Sequence, residues 1–512
     1  QNMLMATLCF LFLSLIILVL MFCGKKLIEA SRLPLPPGPP RLPIIGNLHY
    51  LSSPIHKTLH QLSKKYGDLM FLQLGSVPAI VVSSSEVVRE ICKSCDGLCS
   101  SRPALHVTKM LKHNCMGVAF APYGDYWKEV RKIVTSELLS AKKVQSFQSV
   151  RYQEVSRLMN SIADTSGPVN LSELFQILST NMICRAAFGQ TFHENYKIQG
   201  RRCDELILEL QKLLSSFCLS DFIPLMGWLN KANGFDAMLR KALIELDDLC
   251  NGVLEKHRSV ESLHNPSNDF VDELLRLQKN STGSNAFSDD SVKAIIVDMF
   301  AAGTDTTSAT MVWAMAELAR NPRVMKKAQE EVRGVVKENE MVKEHHLQHL
   351  TYLKQIINET LRLHPPAPLL IPRETTESCI IKGFEIGART RIYVNAYAIA
   401  MDAKQWNDPE KFEPERFEGK PMDIKRQFES IPFGYGRRMC PGINFAASVM
   451  ELALASLLHQ FDWKLPDGVT AETMNMDHAF CVTVHKDTPL FLLADTAVPK
   501  LLIQTQNMSF DY

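Results

Sequence analysis

The sequence predicts one mainly helical α+β domain behind a single N-terminal transmembrane helix. Three observations carry that prediction. Helical apolar periodicity dominates residues 85–365, short strand patterns flank that stretch, and residues 3–23 carry no charge. With 512 residues, 46% of them hydrophobic and 22% charged, the chain has ample material for a large core. Lys and Arg number 56 against 55 Asp and Glu, which argues against a nucleic-acid partner.

The run "MLMATLCFLFLSLIILVLMFC", residues 3–23, is long enough as a helix to span about 30 Å of hydrocarbon. A cleaved signal peptide would want a basic residue before a shorter apolar core. The positive charges follow instead, at Lys25, Lys26 and Arg32, which orients the rest of the chain toward the cytoplasm. An uncleaved anchor is the expectation. Residues 24–43 then form a basic, proline-rich hinge, with six prolines in "LPLPPGPPRLP" at 33–43. Residues 44–495 form the globular body, and 496–512 a flexible tail.

Within the body, "LMFLQLGSVPAIVVSS" (69–84) reads as two strands about a Gly75–Pro78 turn. After 370 short strands and turns alternate, then a last helix covers about 443–460, and strands close the chain. The thirteen cysteines are odd in number and show no disulfide framework, which fits a reducing compartment. Cys92, Cys95 and Cys99 contain a C-x-x-C without a second pair at zinc-finger spacing, so they read as core residues. His345, His346 and His349 read as a solvated connector. "GYGRRM" (434–439) starts like a dinucleotide fingerprint and fails at the third glycine.

The stretch "PFGYGRRMCPG", residues 432–442, builds a constrained bend around one thiol, Cys440. Pro441 suits the first turn of the following helix, which would put Cys440 at the positive end of its dipole and favour a thiolate. Gly434, Gly436 and Gly442 let a flat ligand approach the backbone. Arg437 and Arg438 supply cations for carboxylates. These features describe a seat for haem; taken by themselves they also suit a buried cysteine at a glycine-rich turn.

The rest of the chain decides between the two. Phe433, Gly436, Arg438, Cys440 and Gly442 stand in the pattern F-x-x-G-x-R-x-C-x-G, which resembles the haem-ligand signature of cytochromes P-450. Four further motifs follow that family's order: "WKEVR" with Trp127 and Arg131, "AAGTDTT", "ETLR" with Glu359 and Arg362, and "PERF" with Arg416. The resemblance runs from anchor and hinge to the closing strands. The wording of "PPGPP" and "HPPAPLLIPRE" is similar to the plant A-type branch that contains the seventy-one family.

The resemblance implies the P-450 fold, a helix-rich domain with small β-sheets, and haem b as cofactor with Cys440 as axial thiolate to the iron. It implies Trp127, Arg131, Arg373 and Arg438 on the propionates, with Phe433, Gly436, Gly442 and Ala302 also against the haem. Glu359, Arg362 and Arg416 are implied as a structural charge network. Asp305 and Thr306 would relay protons for oxygen activation, inside a helix that Thr306 weakens by bonding back to the Ala302 carbonyl. Implied substrate contacts are Leu105, Met110, Ala301, Ala367, Leu369, Leu370, Phe480 and Val482, a largely apolar set that suits a lipophilic terpenoid, alkaloid or phenolic. Electrons from NADPH would arrive only through a flavoprotein reductase, docked on Lys128, Arg131, Lys132, Lys142, Lys143 and Arg437. The implied setting is the endoplasmic reticulum membrane, spanned once, with the body in the cytosol and the apolar stretch 218–235 resting on the bilayer. A haem-thiolate isomerase or dehydratase that uses no O2, or a haem sensor, is the competing class; the Asp305–Thr306 pair argues against both.

Overall fold

The computed structural model describes residues 34–497 apart from 111–116, 190–196, 199–200, most of 203–217, 260–267, 281–286, 421–427 and 480–482. The expected anchor at 3–23, most of the tail, and Phe480 and Val482 therefore lie outside the described residues. Among the described residues no helix is long and apolar enough to cross a membrane.

Helix α1 (Ile55–Tyr66) precedes a hairpin of β1 (Leu69–Leu74) and β2 (Val77–Val82). The hairpin turns at Gly75, φ +59°, and Ser76, a two-residue loop where the sequence suggests Gly75–Pro78. Pro78 is already inside β2, opposite Gln73 and before the second ladder of that strand begins at Ala79, so its missing N–H breaks no pairing there. Helices α2 (Ser85–Ser94), α3 (Asp125–Ile133) and α4 (Gln148–Ala163) follow, then β3 (Val169–Asn170) and α5 (Leu171–Phe188). The long helical stretch continues with α6 (Phe235–Arg258), α7 (Phe270–Asn280), α8 (Asp289–Arg320), α9 (Pro322–Val335) and α10 (Thr351–Leu363).

Short strands then return: β4 (Arg373–Glu374), β5 (Cys379–Ile381), β6 (Phe384–Ile386) and β7 (Arg391–Val394). The final helix α11 spans Ile443–Gln460, and β8 (Phe461–Lys464), β9 (His478–Ala479), β10 (His485–Lys486) and β11 (Phe491–Thr496) complete the fold. The main sheet has the order β1-β2-β7-β4, so the N-terminal hairpin is closed by strands from some three hundred residues later. A mainly helical body with small sheets is what results.

Besides a small cluster with Leu59, Met70 and Leu72 where α1 packs on the hairpin, two cores hold these layers among the described residues. The larger joins α4–α11 and includes Phe175, Met311, Leu353 and Leu454, all essentially without solvent contact. The smaller lies between the main sheet and α2, and takes in Ile431 and Tyr435 from the cysteine loop. The loop is thereby anchored on the sheet side while α11 leaves it on the helical side.

Helix α8 is the spine. Ser288 caps it by accepting the Ser291 N–H at 3.2 Å, with Asp289 and Asp290 in the first turn and Arg320 in the last, as the helix dipole favours. Its flanks are apolar on every side, so α5, α10 and α11 all pack against it.

Candidate active site

The cysteine loop turns through a short 3-10 segment at Gly436–Arg438, and the Cys440 N–H donates to the Phe433 carbonyl at 2.9 Å. Gly434 and Gly436 have φ of +76° and +58°. At Gly436 any side chain is excluded a second time, because a Cβ would stand 2.6 Å from Asp96 Oδ1. Cys440 lies deep in the protein yet is not fully covered, and Phe433 and Gly442 are likewise half-covered.

One expectation needs correcting here. The helix after the thiol starts at Ile443 with Gly442 as N-cap, so Pro441 precedes the helix and does not open it. Helix-end stabilisation fades within a turn. Burial pushes the Cys440 thiol up, and the Gly442 N–H and the Arg131 guanidinium pull it down by less. The loop does not make a thiolate unaided; a bound metal cation would take the proton off.

Beside the loop, Arg102, Arg373 and Arg438 are buried within one another's field. Arg438 donates to the carbonyls of Ser100, Val118 and Ala121 at 2.8, 3.1 and 2.5 Å, and lies 4.1 Å over the Trp127 ring. Trp127 itself donates Nε1–H to Val118 at 3.0 Å. Arg373 meets Asp96 at 3.1 Å and the Tyr435 carbonyl at 2.5 Å. Arg102 donates to Ala119, Ile371 and Pro372 carbonyls. Burial first, then repulsion from its neighbours, draws Arg438 down to about 9 and Arg102 well below its ordinary value. Asp298, which accepts the Ala119 N–H at 2.8 Å, is pushed by burial up to about 6. Only Asp96 and Asp298, among the groups named, oppose these guanidiniums. A buried excess of positive charge next to a half-covered thiol suits a ligand that carries a metal in its centre and carboxylates on its edge. The residues fit haem. Arg131 lies within the field of Arg438, and its Nη2 donates to the Met439 carbonyl at 2.5 Å, on the thiol side.

Packed against α11, α8 runs unbroken through "AAGTDTT". The Thr306 hydroxyl donates to the Ala302 carbonyl at 2.9 Å, and those of Thr304 and Thr310 likewise donate four residues back, to the Phe300 and Thr306 carbonyls at 3.1 and 2.8 Å. The helix does not open, because a carbonyl oxygen has a second lone pair to receive a hydroxyl beside its ladder bond. In the central turns of this helix Ala302 is exposed and Val297, Asp298, Ala301 and Thr306 are half-covered, while Gly303, also half-covered, lies against Ile183 of α5. Gly303 apart, their spacing of four makes one stripe along one face. Asp305 is turned off that face, covered, and its Oδ1 lies 2.9 Å from His485 Nε2.

Of the substrate positions, Leu105, Met110, Ala301, Ala367, Leu369 and Leu370 are all half-covered. Leu370 takes the left-handed conformation at φ +52°, a strained choice for leucine. That conformation aims its side chain toward Gly434, where a Cβ would stand 3.9 Å from Leu370 Cδ1.

Glu359, Arg362 and Arg416 form one buried network. Arg362 forks onto both Glu359 oxygens at 2.6 and 2.8 Å, and Arg416 Nε reaches Oε1 at 3.1 Å. Arg362 also donates to the Ala400 and Pro409 carbonyls at 2.8 Å each, tying α10 to the segment that leads into the cysteine loop. Glu359→Ala is expected to cost about 3–5 kcal/mol, since the buried Arg362 guanidinium loses its counter-charge and Arg416 keeps only Glu413. Denaturant unfolding checks this, and an unshifted midpoint would refute it.

Sequence reasoning passed over Arg102, Asp96, Asp298 and His485. Arg102 carries a usable signal, a lone charge in the apolar run "CSSRPAL"; the other three gain their meaning only from partners far along the chain.

Comparison with known proteins decides the family. The family profile described as Cytochrome P450 matches residues 36–491. The chain belongs to the cytochrome P450 family. Cytochrome P450 71A9 from Glycine max is 50% identical over 92% of the chain and 94% of that relative. Strychnine-11-hydroxylase from Strychnos nux-vomica is 48% identical over 96% and 97%, and costunolide synthase from Cichorium intybus 45% identical over 86% and 89%. This P450 is an oxidoreductase of the monooxygenase class that uses O2 and a small-molecule substrate. The family's cofactor is haem on a cysteine thiolate, with NADPH acting through a reductase.

Proposed function

We propose that this P450 inserts one atom of O2 into a lipophilic specialised metabolite, a terpenoid, alkaloid or phenolic, while anchored in the endoplasmic reticulum membrane and fed by an NADPH-dependent flavoprotein reductase. The carrying observation is the partly uncovered stripe on α8, where small apolar residues stand beside a hydroxyl and a covered carboxylate. Haem, when bound, supplies the activation and transfer of oxygen. Cys440 would hold it from the α11 side, and Arg102, Arg373 and Arg438 would neutralise its carboxylates.

The chain's own part is to position and to move protons. Ala301 and Ala302 leave room on the stripe, and Leu105, Met110, Ala367, Leu369 and Leu370 exclude water from the substrate's apolar body. Thr306, tethered to the Ala302 carbonyl, presents its oxygen lone pairs to that space and can hold a proton-bearing water there. Asp305, one residue away, is the acid that refills it. Exposed Lys128, Lys132, Lys142 and Arg437 offer an acidic reductase a cationic landing face.

The membrane reading has structural support. The Gly75 N–H donates to Ile45 and the Ser76 N–H to Phe222, which brings the end of the hinge and the stretch 218–235 to one corner. There Ile44 is 82% and Leu225 90% exposed, with Trp228 also bare. Apolar side chains so exposed at one corner mark a surface that meets something apolar. In the full chain on vesicles, brominated acyl chains should quench part of the tryptophan emission, and Trp228→Phe should remove that part. Equal quenching in both proteins would mean this corner stays off the bilayer.

The function is tested by substrate-dependent NADPH oxidation with added reductase across a panel of lipophilic metabolites. At least one compound should displace iron-bound water and raise consumption. A panel with neither effect would count against the lipophilic reading.

A further inference from the structure

Asp305 is covered and cannot draw protons from bulk water by itself; its side chain is only 4% exposed. Facing it across the α8–β10 contact is His485, whose ring is 34% exposed. The separation, 2.9 Å from Nε2 to Oδ1, is that of an ion pair, but the two groups are not aligned for a hydrogen bond. A small ring rotation would align them. The backbone just before the imidazole is held twice: the Val484 N–H donates to the Pro366 carbonyl at 2.8 Å, and the Val484 carbonyl accepts from Trp313 Nε1 on α8 at 3.2 Å. Lys486, the next residue, is tied down by Thr488 at 2.6 Å. The strand β10 thus presents one side chain to α8 at a fixed spot, and that side chain is an imidazole, whose two ring nitrogens can each carry a proton.

We propose that His485 is the proton inlet of Asp305. A neutral imidazole that carries its proton on Nε2 takes a solvent proton on Nδ1 and releases the Nε2 proton to Asp305 Oδ1; the ring is left neutral with its proton on Nδ1, resets to the Nε2 form by exchange with water, and one proton has moved inward. This rests on the reading of Asp305 and Thr306 as the relay to the oxygen side. His485 is a positioning and supply residue. It touches Asp305, and nothing in its placement requires it to touch substrate.

The test uses the full-length haem-loaded protein with reductase and a turned-over substrate, comparing wild type with His485→Ala, His485→Lys, Asp305→Asn and the His485→Ala/Asp305→Asn double variant. Product per NADPH is expected to fall about 10-fold in His485→Ala, with peroxide rising; this is milder than loss of a positioned donor, because water can still seep to the carboxylate. The double variant should couple no worse than Asp305→Asn, as serial steps require. His485→Lys offers Asp305 an ion-pair partner but has one nitrogen, so it should keep the melting temperature while remaining uncoupled, with haem content unchanged. Restoration of coupling by lysine would make the pair merely structural and overturn the proposal. Normal coupling in His485→Ala beside an uncoupled Asp305→Asn would overturn it too. Normal coupling in Asp305→Asn would instead sink the relay reading beneath it.

Discussion

Cys440→Ser is expected to abolish the thiolate-specific absorption of the reduced carbon monoxide complex and to leave no measurable monooxygenation. Serine keeps the size of the side chain and the Phe433–Cys440 backbone bond, so the bend itself should survive. What disappears is the soft anion. Burial already opposes ionisation at this position, pushing even the thiol upward despite Arg131 and the Gly442 N–H. A hydroxyl, far weaker as an acid than a thiol, has no route to a bound anion there. The arginines and Trp127 do not depend on the thiol, so haem should still associate, more weakly. The carbon monoxide difference spectrum reads the outcome, and a retained thiolate band in a folded, haem-containing variant would place the axial ligand elsewhere.

The second large effect is expected at Thr306. In Thr306→Ala, haem binding, substrate affinity and reduction by the partner should stay close to wild type. The hydroxyl points along α8 to the Ala302 carbonyl and is used by no arginine, no part of the thiol loop and no packing layer. Alanine is the better helix former, so the helix loses nothing. The cost falls on proton delivery, where losing a positioned donor typically slows the affected step about 100- to 10,000-fold. NADPH should still be consumed, with electrons leaving chiefly as hydrogen peroxide. Thr307 does not replace it, because Thr307 is covered where Thr306 is only half-covered. Product formed per NADPH, measured beside peroxide, decides; unchanged coupling would reduce Thr306 to packing.

Local chemistry carried much of this into view before any coordinates. The glycine-bounded thiol, the apolar periodicity of α8 and α11, and the hairpin around Gly75 are short-range facts, and the structure realises α11 at Ile443–Gln460. The Thr306 back-bond was readable for the same reason, since its partner is four residues away. What stayed hidden is long-range. Cys95 and Cys99 read as plain core residues, yet Cys379 arrives from 280 residues beyond Cys99 and packs its sulfur at 3.8 Å. His346 reads as solvated, whereas its Nδ1 caps a short helix by accepting the Lys343 N–H. Arg102 joins Arg373 and Arg438 only because the main sheet pairs β2 with β7 and so brings the two halves of the chain together. Leu370 illustrates a different limit: nothing in a leucine announces a left-handed backbone, which tertiary packing imposes on it.

The measurement that bears most directly on the central claim is isotopic. The full-length protein, haem-loaded and supplied with reductase, NADPH and a substrate found in the panel, is incubated under oxygen-18 gas in ordinary water. Mass spectrometry of the product should then show one oxygen-18 atom per molecule, and product should track NADPH consumption. Product formed at the same rate without NADPH, or carrying oxygen only from water or from the substrate itself, would contradict a monooxygenase and favour an isomerase or dehydratase on the same thiolate-bearing fold.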